Sequence, residues 1–152
     1  MTSRRESGHM ARALAEAQAA EARGEVPIGA VITGPDGAIL AAAGNLTRTT
    51  NDPTAHAEVL AIREACAKIG SERLLDCDLY VTLEPCPMCA GAISFARIRR
   101  LYYGAADPKG GGVEHGARVF NQPTCNHAPE VYAGIDEERA GALLKAFFEA
   151  KR

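Results

Sequence analysis

The chain has 152 residues, of which 47% are apolar, 24% charged and 5% aromatic, the size and composition of one globular domain with an aliphatic core. At this length roughly two thirds of the unfolded chain's surface is buried on folding, so no disulfide framework is needed to hold a core together. A formal net charge of −2 argues against a strong nonspecific polyanion binder; residues 97–118, with five basic and two acidic groups, are a local exception that fits either a phosphate backbone or a solvated edge. No apolar run approaches the ~18 residues needed to cross a bilayer, and Met1 to Met10 is polar with no signal-peptide core behind it. The expectation is a cytoplasmic protein with no membrane partner. Five cysteines is an odd number, and Cys86 and Cys89 form a Cys-x-x-Cys pair, which favours metal or thiol chemistry over disulfides.

In chain order, Met10, Leu14, Ala17 and Ala20 recur at helical spacing, so residues ~8–23 read as an amphipathic helix that Gly24 ends. Ile28 to Thr33 and Ala38 to Ala42 flank Gly34-Pro35-Asp36-Gly37, whose residues favour a tight reversal; this predicts a hairpin. Ala55 to Lys68 has helical periodicity, with Thr54 placed as cap and Gly70 as terminator. Asp78 to Leu83 reads as strand, Pro87 to Ala96 as helix, and Arg99 to Tyr103 as strand. Asp107 to Asn126 is glycine-rich and lacks a sustained period, so it reads as a long loop with at most a turn of helix. Val131 to Ala133 adds an edge strand, and Asp136 to Ala150 closes the chain as a helix with Leu143, Leu144 and Phe147 on its apolar side. The sequence of elements predicts one α/β domain spanning residues 1–152, a three-layer α/β/α sandwich around a central mixed sheet of four or five strands.

The residues that carry chemistry are His56-Ala57-Glu58 and, 26 positions after Glu58, Glu84-Pro85-Cys86-Pro87-Met88-Cys89. Zinc takes imidazole and thiolate readily, and a catalytic zinc keeps three protein ligands and an open fourth position. His56, Cys86 and Cys89 make that set. Cys86 and Cys89 are three apart at the start of a predicted helix, so both sulfurs reach one ion, and the helix N-terminus favours thiolate. Pro87 suits the first turn because its missing N–H would be orphaned there. His56 and Glu58 are about 200° apart on a regular helix, which places them where that helix is only beginning. A carboxylate near the metal but not bound to it can carry protons between water and a ring nitrogen, the role expected of Glu58 in hydrolytic deamination. Each part alone has a plainer reading. A lone histidine is often only hydrogen-bonded, and Cys-x-x-Cys serves redox or structural zinc sites, for which Cys66, Cys77, Cys125 or His127 are candidate fourth ligands. His-x-Glu followed by Pro-Cys-x-x-Cys, however, is the known signature of zinc-dependent nucleobase deaminases.

With those residues in place, the chain resembles the tRNA-specific adenosine deaminases of bacteria, within the cytidine deaminase-like superfamily. The likeness runs from about Gly8 to Arg152 through Glu25-Val26-Pro27-Ile28-Gly29-Ala30, Gly44-Asn45, Asp52 to Glu58 and Leu79 to Ala92. Asp107, Lys109, Asn126-His127 and Phe147-Phe148 resemble the tRNA-editing branch in particular. The resemblance implies a cytidine deaminase-like fold, one Zn2+ per subunit, and conversion of adenosine to inosine at the wobble position of an arginine tRNA anticodon stem-loop by a homodimer. It further implies that Asn45 hydrogen-bonds the flipped base, that Asp107 contacts its sugar region, and that the backbone at Ala57 and Glu84 lines the pocket. Lys109, in a glycine-rich loop, is a better phosphate candidate than Arg99, and Phe148, off the centre of the apolar stripe, is placed to stack on a neighbouring nucleotide. Asn45 and Asp107 each have a plainer reading as turn-forming residues.

Two other functions use parts of the same pattern. A deaminase of a free base or nucleoside such as guanine or cytosine would employ the same zinc and Glu58, and would differ in the 107–127 loop and the last helix. A noncatalytic zinc-stabilised RNA-binding module would need a fourth protein ligand and would make no use of Glu58.

Overall fold

The computed structural model describes residues 4–151. Helix α1 (Arg4–Ala22) leads into a hairpin of β1 (Gly29–Thr33) and β2 (Ile39–Gly44). Helix α2 (Ala57–Ile69), strand β3 (Asp78–Leu83), helix α3 (Pro87–Ala96) and strand β4 (Arg100–Ala105) follow. The long segment after β4 holds one short 3-10 turn (Val119–Asn121) before β5 (Glu130–Tyr132) and α4 (Glu137–Ala150). The five strands form one sheet in the order β2-β1-β3-β4-β5, antiparallel between β1 and both its neighbours and parallel from β3 through β5.

The predicted hairpin is present, with Gly34 N–H donating to Ala38 O and Gly37, at φ 84°, in the conformation glycine adopts most cheaply. Strand β1 is buried at all five positions and β3 at its first five, as expected of central strands covered on both faces. Strands β2 and β5 lie at the edges. Helices α1 and α4 cover one face; α2 covers β1 and β2 on the other and packs on α3. Two cores result. Ile32, Leu79, Val81, Ile93, Leu101 and Tyr103 belong to the core beneath α2 and α3, while Met10, Leu14, Val31, Tyr80 and Tyr102 fill that beneath α1 and α4. Leu143 and Leu144 are only half-buried, and Ala140 and Phe147 are the buried residues of α4.

Helix α1 begins at Arg4, earlier than the apolar stripe predicts. Its approach to the sheet rests on two paired glycines. Gly29 lies opposite Gly44 in the hairpin; a methyl on Gly29 would land on the backbone of Ala13 and Ala17, and one on Gly44 would stand 2.8 Å from Glu16 O. The helix backbone therefore sits directly on the strands. We expect Gly44→Ala to lower stability by about 1–3 kcal/mol through forced separation of α1 from the sheet. Gly141→Ala, where an added methyl meets nothing within 4 Å, should raise it by about 0.5–1 kcal/mol. Urea unfolding of the two variants checks both signs.

Candidate active site

The parallel half of the sheet ends at Leu83 and Ala105, and the chemistry collects beyond those ends, where open α/β sheets form their ligand crevices. Helices α2 and α3 both start there. His56 is the residue preceding α2, in extended conformation (φ −75°, ψ 150°), and Cys86 occupies the same place before α3 (φ −71°, ψ 171°), with Pro87 next. The His-x-Glu spacing is thus resolved as predicted: His56 stands outside the helix and Glu58 within its first turn.

The three expected ligands meet. His56 Nδ1 lies 3.6 Å from Cys86 Sγ and 3.4 Å from Cys89 Sγ, and the three ligand atoms are all within 4.8 Å of one another. An imidazole and two thiols at this separation suit tetrahedral zinc, whose bonds are about 2.0–2.3 Å long. Among the described residues no other His, Cys, Asp or Glu joins the group, which leaves the fourth position to water or substrate. Cys66, Cys77, Cys125 and His127 are engaged elsewhere. Cys77 is buried in the core with Cys66 packed against it, Cys125 Sγ donates to His127 O at 3.1 Å, and His127 Nε2 bonds Ile98 O at 2.7 Å.

Between the bare thiols, a hydrogen bond from the Cys89 side chain lowers the Cys86 pKa to about 5, against burial, with help from the backbone N–H groups of Cys89 and Met88. The same pairing pushes Cys89 upward. Glu58 is 4% exposed, and burial raises its carboxyl to about 7, reinforced by the Cys86 charge and opposed by its own backbone N–H and His56.

Two loops frame the cluster, each fastened by a buried carboxylate. Glu25, 1% exposed, accepts hydrogen bonds from Thr49 N–H (2.7 Å), Thr49 Oγ1 (2.6 Å) and Arg48 N–H (3.1 Å). Burial pushes its pKa up, but those donors outweigh burial and the net direction is down. Asn45, just after β2, accepts the Ala57 N–H on Oδ1 at 2.9 Å. That corrects one expectation: Thr54 does not cap α2, because the helix begins at Ala57 with His56 at the N-cap position, and the Ala57 N–H is taken by Asn45. Asn45 satisfies the orphan N–H from across the sheet instead.

On the other side, Glu84 turns its side chain away from the cluster and into the loop after β4. Its carboxylate is likewise held low, burial being outweighed by donors from Asp107, His115 and Glu114. Asp107 forms a turn, its Oδ1 accepting the Gly110 N–H at 2.9 Å, while Lys109 at the loop's tip is exposed. Tyr103, buried on β4, donates its hydroxyl to Glu114. Phe148 is half-exposed on α4, in the layer opposite α2 and α3, edge-on to Phe147 at 5.3 Å. The basic segment is largely consumed elsewhere. Arg99 pairs with Asp78 through two bonds of 3.1 Å, and Arg100 pairs with Glu130 at 3.0 Å, both at the opposite end of β3 and β4.

Sequence reasoning named the three residues whose ligand atoms meet, and did not foresee the loop-fastening bonds of Glu25, Tyr103, Glu114 and His115. A glutamate directly before Val-Pro and a histidine in a glycine-rich loop carry no local signal of a partner 24 or 31 positions away.

A buried carboxylate beside a three-ligand metal cluster with an open fourth position, on a mixed-sheet α/β/α scaffold, defines a zinc-dependent deaminase. Residues 3–105 match the family described as the cytidine and deoxycytidylate deaminase zinc-binding region. The chain is 62% identical over 143 residues to a tRNA-specific adenosine deaminase of Agrobacterium fabrum, covering 94% of this chain and 93% of that one. It is 47% identical over 144 residues to the tRNA-specific adenosine deaminase of Bacillus subtilis, covering 95% and 89%. Among solved structures, one from work on A-to-I editing by tRNA:A34 deaminases at the wobble position superposes with a TM-score of 0.89 at 61% identity, covering 91% of this chain and 99% of that one. A guanine deaminase of Bacillus subtilis superposes with a TM-score of 0.65 at 40% identity, covering 82% of each. The chain belongs to the cytidine and deoxycytidylate deaminase zinc-binding family and, within it, to the tRNA-specific adenosine deaminases.

Cys89→Ala removes one of the three ligands, and zinc bound after dialysis should fall well below one per chain. Glu58→Gln should leave it at one. Metal analysis of both variants separates a ligand from a neighbour.

Proposed function

We propose that this protein is a hydrolase that converts adenosine to inosine at the wobble position of a tRNA anticodon, acting as one domain over its whole length. The observation that carries the chemistry is Glu58, buried against a His56, Cys86 and Cys89 cluster that has no fourth protein ligand among the described residues, and the choice of substrate is supported by the 62% identity to a tRNA-specific adenosine deaminase. His56, Cys86 and Cys89 would hold the zinc, which would supply the positive charge that makes a water nucleophilic near neutral pH. The remaining work belongs to the chain. Glu58 takes the proton released by water and delivers it to the purine ring nitrogen, then passes the second to the departing amine. Water enters, ammonia leaves, and a carbonyl replaces the exocyclic amine.

Asn45 holds the base: with Oδ1 committed to Ala57 N–H, its amide NH2 remains as a donor to a ring acceptor. The backbone at Ala57 and Glu84 lines the pocket, Asp107 faces the sugar, Lys109 meets a phosphate, and the exposed side of Phe148 stacks on an adjacent nucleotide. A loop is the natural substrate because its bases are already partly unstacked, so flipping one costs little. An arginine tRNA is the substrate we assign first, and the cytoplasm is where that substrate occurs. No helix among the described residues is long and apolar enough to cross a membrane.

The test is deamination of a synthetic arginine tRNA anticodon stem-loop, read as inosine by sequencing, with adenosine, guanine and cytosine as parallel substrates. Inosine only at the wobble position, lost by at least about 10³-fold in Glu58→Ala, supports the reading. A second reading, a deaminase of free guanine, has the 40% identity to a guanine deaminase in its favour. Ammonia from guanine with no RNA product would establish it instead.

The partner subunit we propose is a second copy, docked over α2 and α3. Phe95 is 75% and Met88 39% exposed there, and a groove of about 500 Å³ is lined by Val59, Ile62, Ala92 and Phe95 together with Arg63 and Arg97. Such a patch on a lone chain needs cover. Phe95→Glu should shift the mass measured by light scattering from dimer to monomer while leaving the circular dichroism spectrum unchanged.

A further inference from the structure

We infer that Glu84 is a positioning residue for substrate RNA: its side chain clasps the loop after β4 and holds Asp107 and Lys109 at the mouth of the site. The inference rests on the tRNA reading and adds a role that the sequence motif does not reveal, since Glu84 was expected to contribute through its backbone.

The carboxylate is completely buried, and both oxygens are spent on one loop. Oε1 accepts the Asp107 N–H at 3.0 Å and the His115 Nδ1–H at 2.7 Å. Oε2 accepts three successive backbone N–H groups, from Val113 (3.2 Å), Glu114 (3.0 Å) and His115 (3.0 Å). Converging main-chain donors of this kind form an anion-binding nest, here filled by a side chain of the same protein. The loop is thereby gathered at both ends, residue 107 and residues 113–115, onto one anchor. Its interior is pressed on the metal-binding turn. Gly112 N–H donates to Pro85 O at 2.8 Å, and a methyl on Gly112 would stand 2.6 Å from Pro87 N; one on Gly111 would stand 2.6 Å from the Glu84 carboxyl carbon.

Two consequences follow from this geometry. Glu84 lies two residues before the ligand Cys86, where a free carboxylate would compete for the metal, and its five donors leave no lone pair to do so. Pro108, Lys109 and Gly110, the exposed arc between the two fastened ends, keep a defined place on the rim without touching the reacting atoms. Such a device acts on how RNA is held before chemistry. It should therefore appear in KM and not in kcat.

The experiment uses the full-length, zinc-loaded protein with the anticodon stem-loop. In Glu84→Gln one oxygen becomes an NH2 facing N–H donors, and KM should rise about tenfold while kcat changes less than about threefold. Zinc should remain at one per chain, and amide exchange of residues 107–115 should accelerate. Should that variant fail to fold, His115→Ala removes one donor from a partly exposed side chain. Its KM should rise severalfold, and His115→Asn, which returns an amide donor to the same place, should restore it. KM within twofold of wild type in Glu84→Gln and His115→Ala overturns the inference, as does a fall in kcat at unchanged KM or a loss of zinc. A wild-type protein that makes no inosine overturns the tRNA reading and this inference with it; an active wild type with unaltered variants overturns this inference alone.

Discussion

Everything at the site depends on two helices beginning at the same point. His56 and Cys86 are 30 positions apart in the chain, yet each is the last extended residue before a helix, and their ligand atoms lie 3.6 Å apart. The sheet makes that meeting possible. Strands β2 and β3 are separated by β1 alone, so the segments leaving their ends approach the same region above the sheet, and α2 and α3 return side by side over the same face. The partial positive charges of two helix N-termini then point at the ligand cluster, which lowers the cost of gathering thiolates before any metal is counted. This arrangement also explains why α1 must pack so closely: the Gly29 and Gly44 pair puts its backbone on the hairpin that ends in Asn45.

Three buried glutamates show how environment assigns a role to one side-chain type. Glu25 and Glu84 receive dense sets of hydrogen-bond donors, remain ionised below the usual carboxylate range, and serve as anchors for the loops on either side of the cluster. Glu58 is as deeply buried, but receives less compensation, so desolvation dominates and its carboxyl moves to about 7. A group with a pKa there can accept and release a proton under ordinary conditions, whereas a group held low by many donors cannot. The number of donors aimed at each carboxylate therefore separates scaffold from chemistry.

The parts of this design that were legible in the sequence are local. Gly34-Pro35-Asp36-Gly37 marks a hairpin because its residues favour the needed turn, and the ligand spacing marks a metal cluster because Pro87 must start a helix at Cys86. What could not be read is long-range pairing. Thr54 looked like the cap of α2, but the side chain that meets Ala57 N–H is Asn45, twelve positions earlier and brought there by β2. Asp78, which neutralises Arg99, and Glu130, which pairs with Arg100, are 21 and 30 positions from their partners. The role of Glu84 is hidden for the same reason: its donors lie on a loop with no periodicity of its own.

Those ion pairs also resolve how a chain of net charge −2 can serve a nucleic acid. Total charge governs nonspecific attraction, and this chain has little to offer there. The charge that counts is set by position. Arg99 and Arg100 are neutralised by Asp78 and Glu130 at the far end of the strands, which leaves Lys109 on the loop that Glu84 clasps and Arg48 on the loop that Glu25 clasps. With so few cations at hand, charge alone cannot carry binding, and the two loops that Glu25 and Glu84 fasten are the fixed surface left to contribute. Loops fixed around the cluster but poor in cations suit a partner recognised by its shape more than by the charge of its backbone.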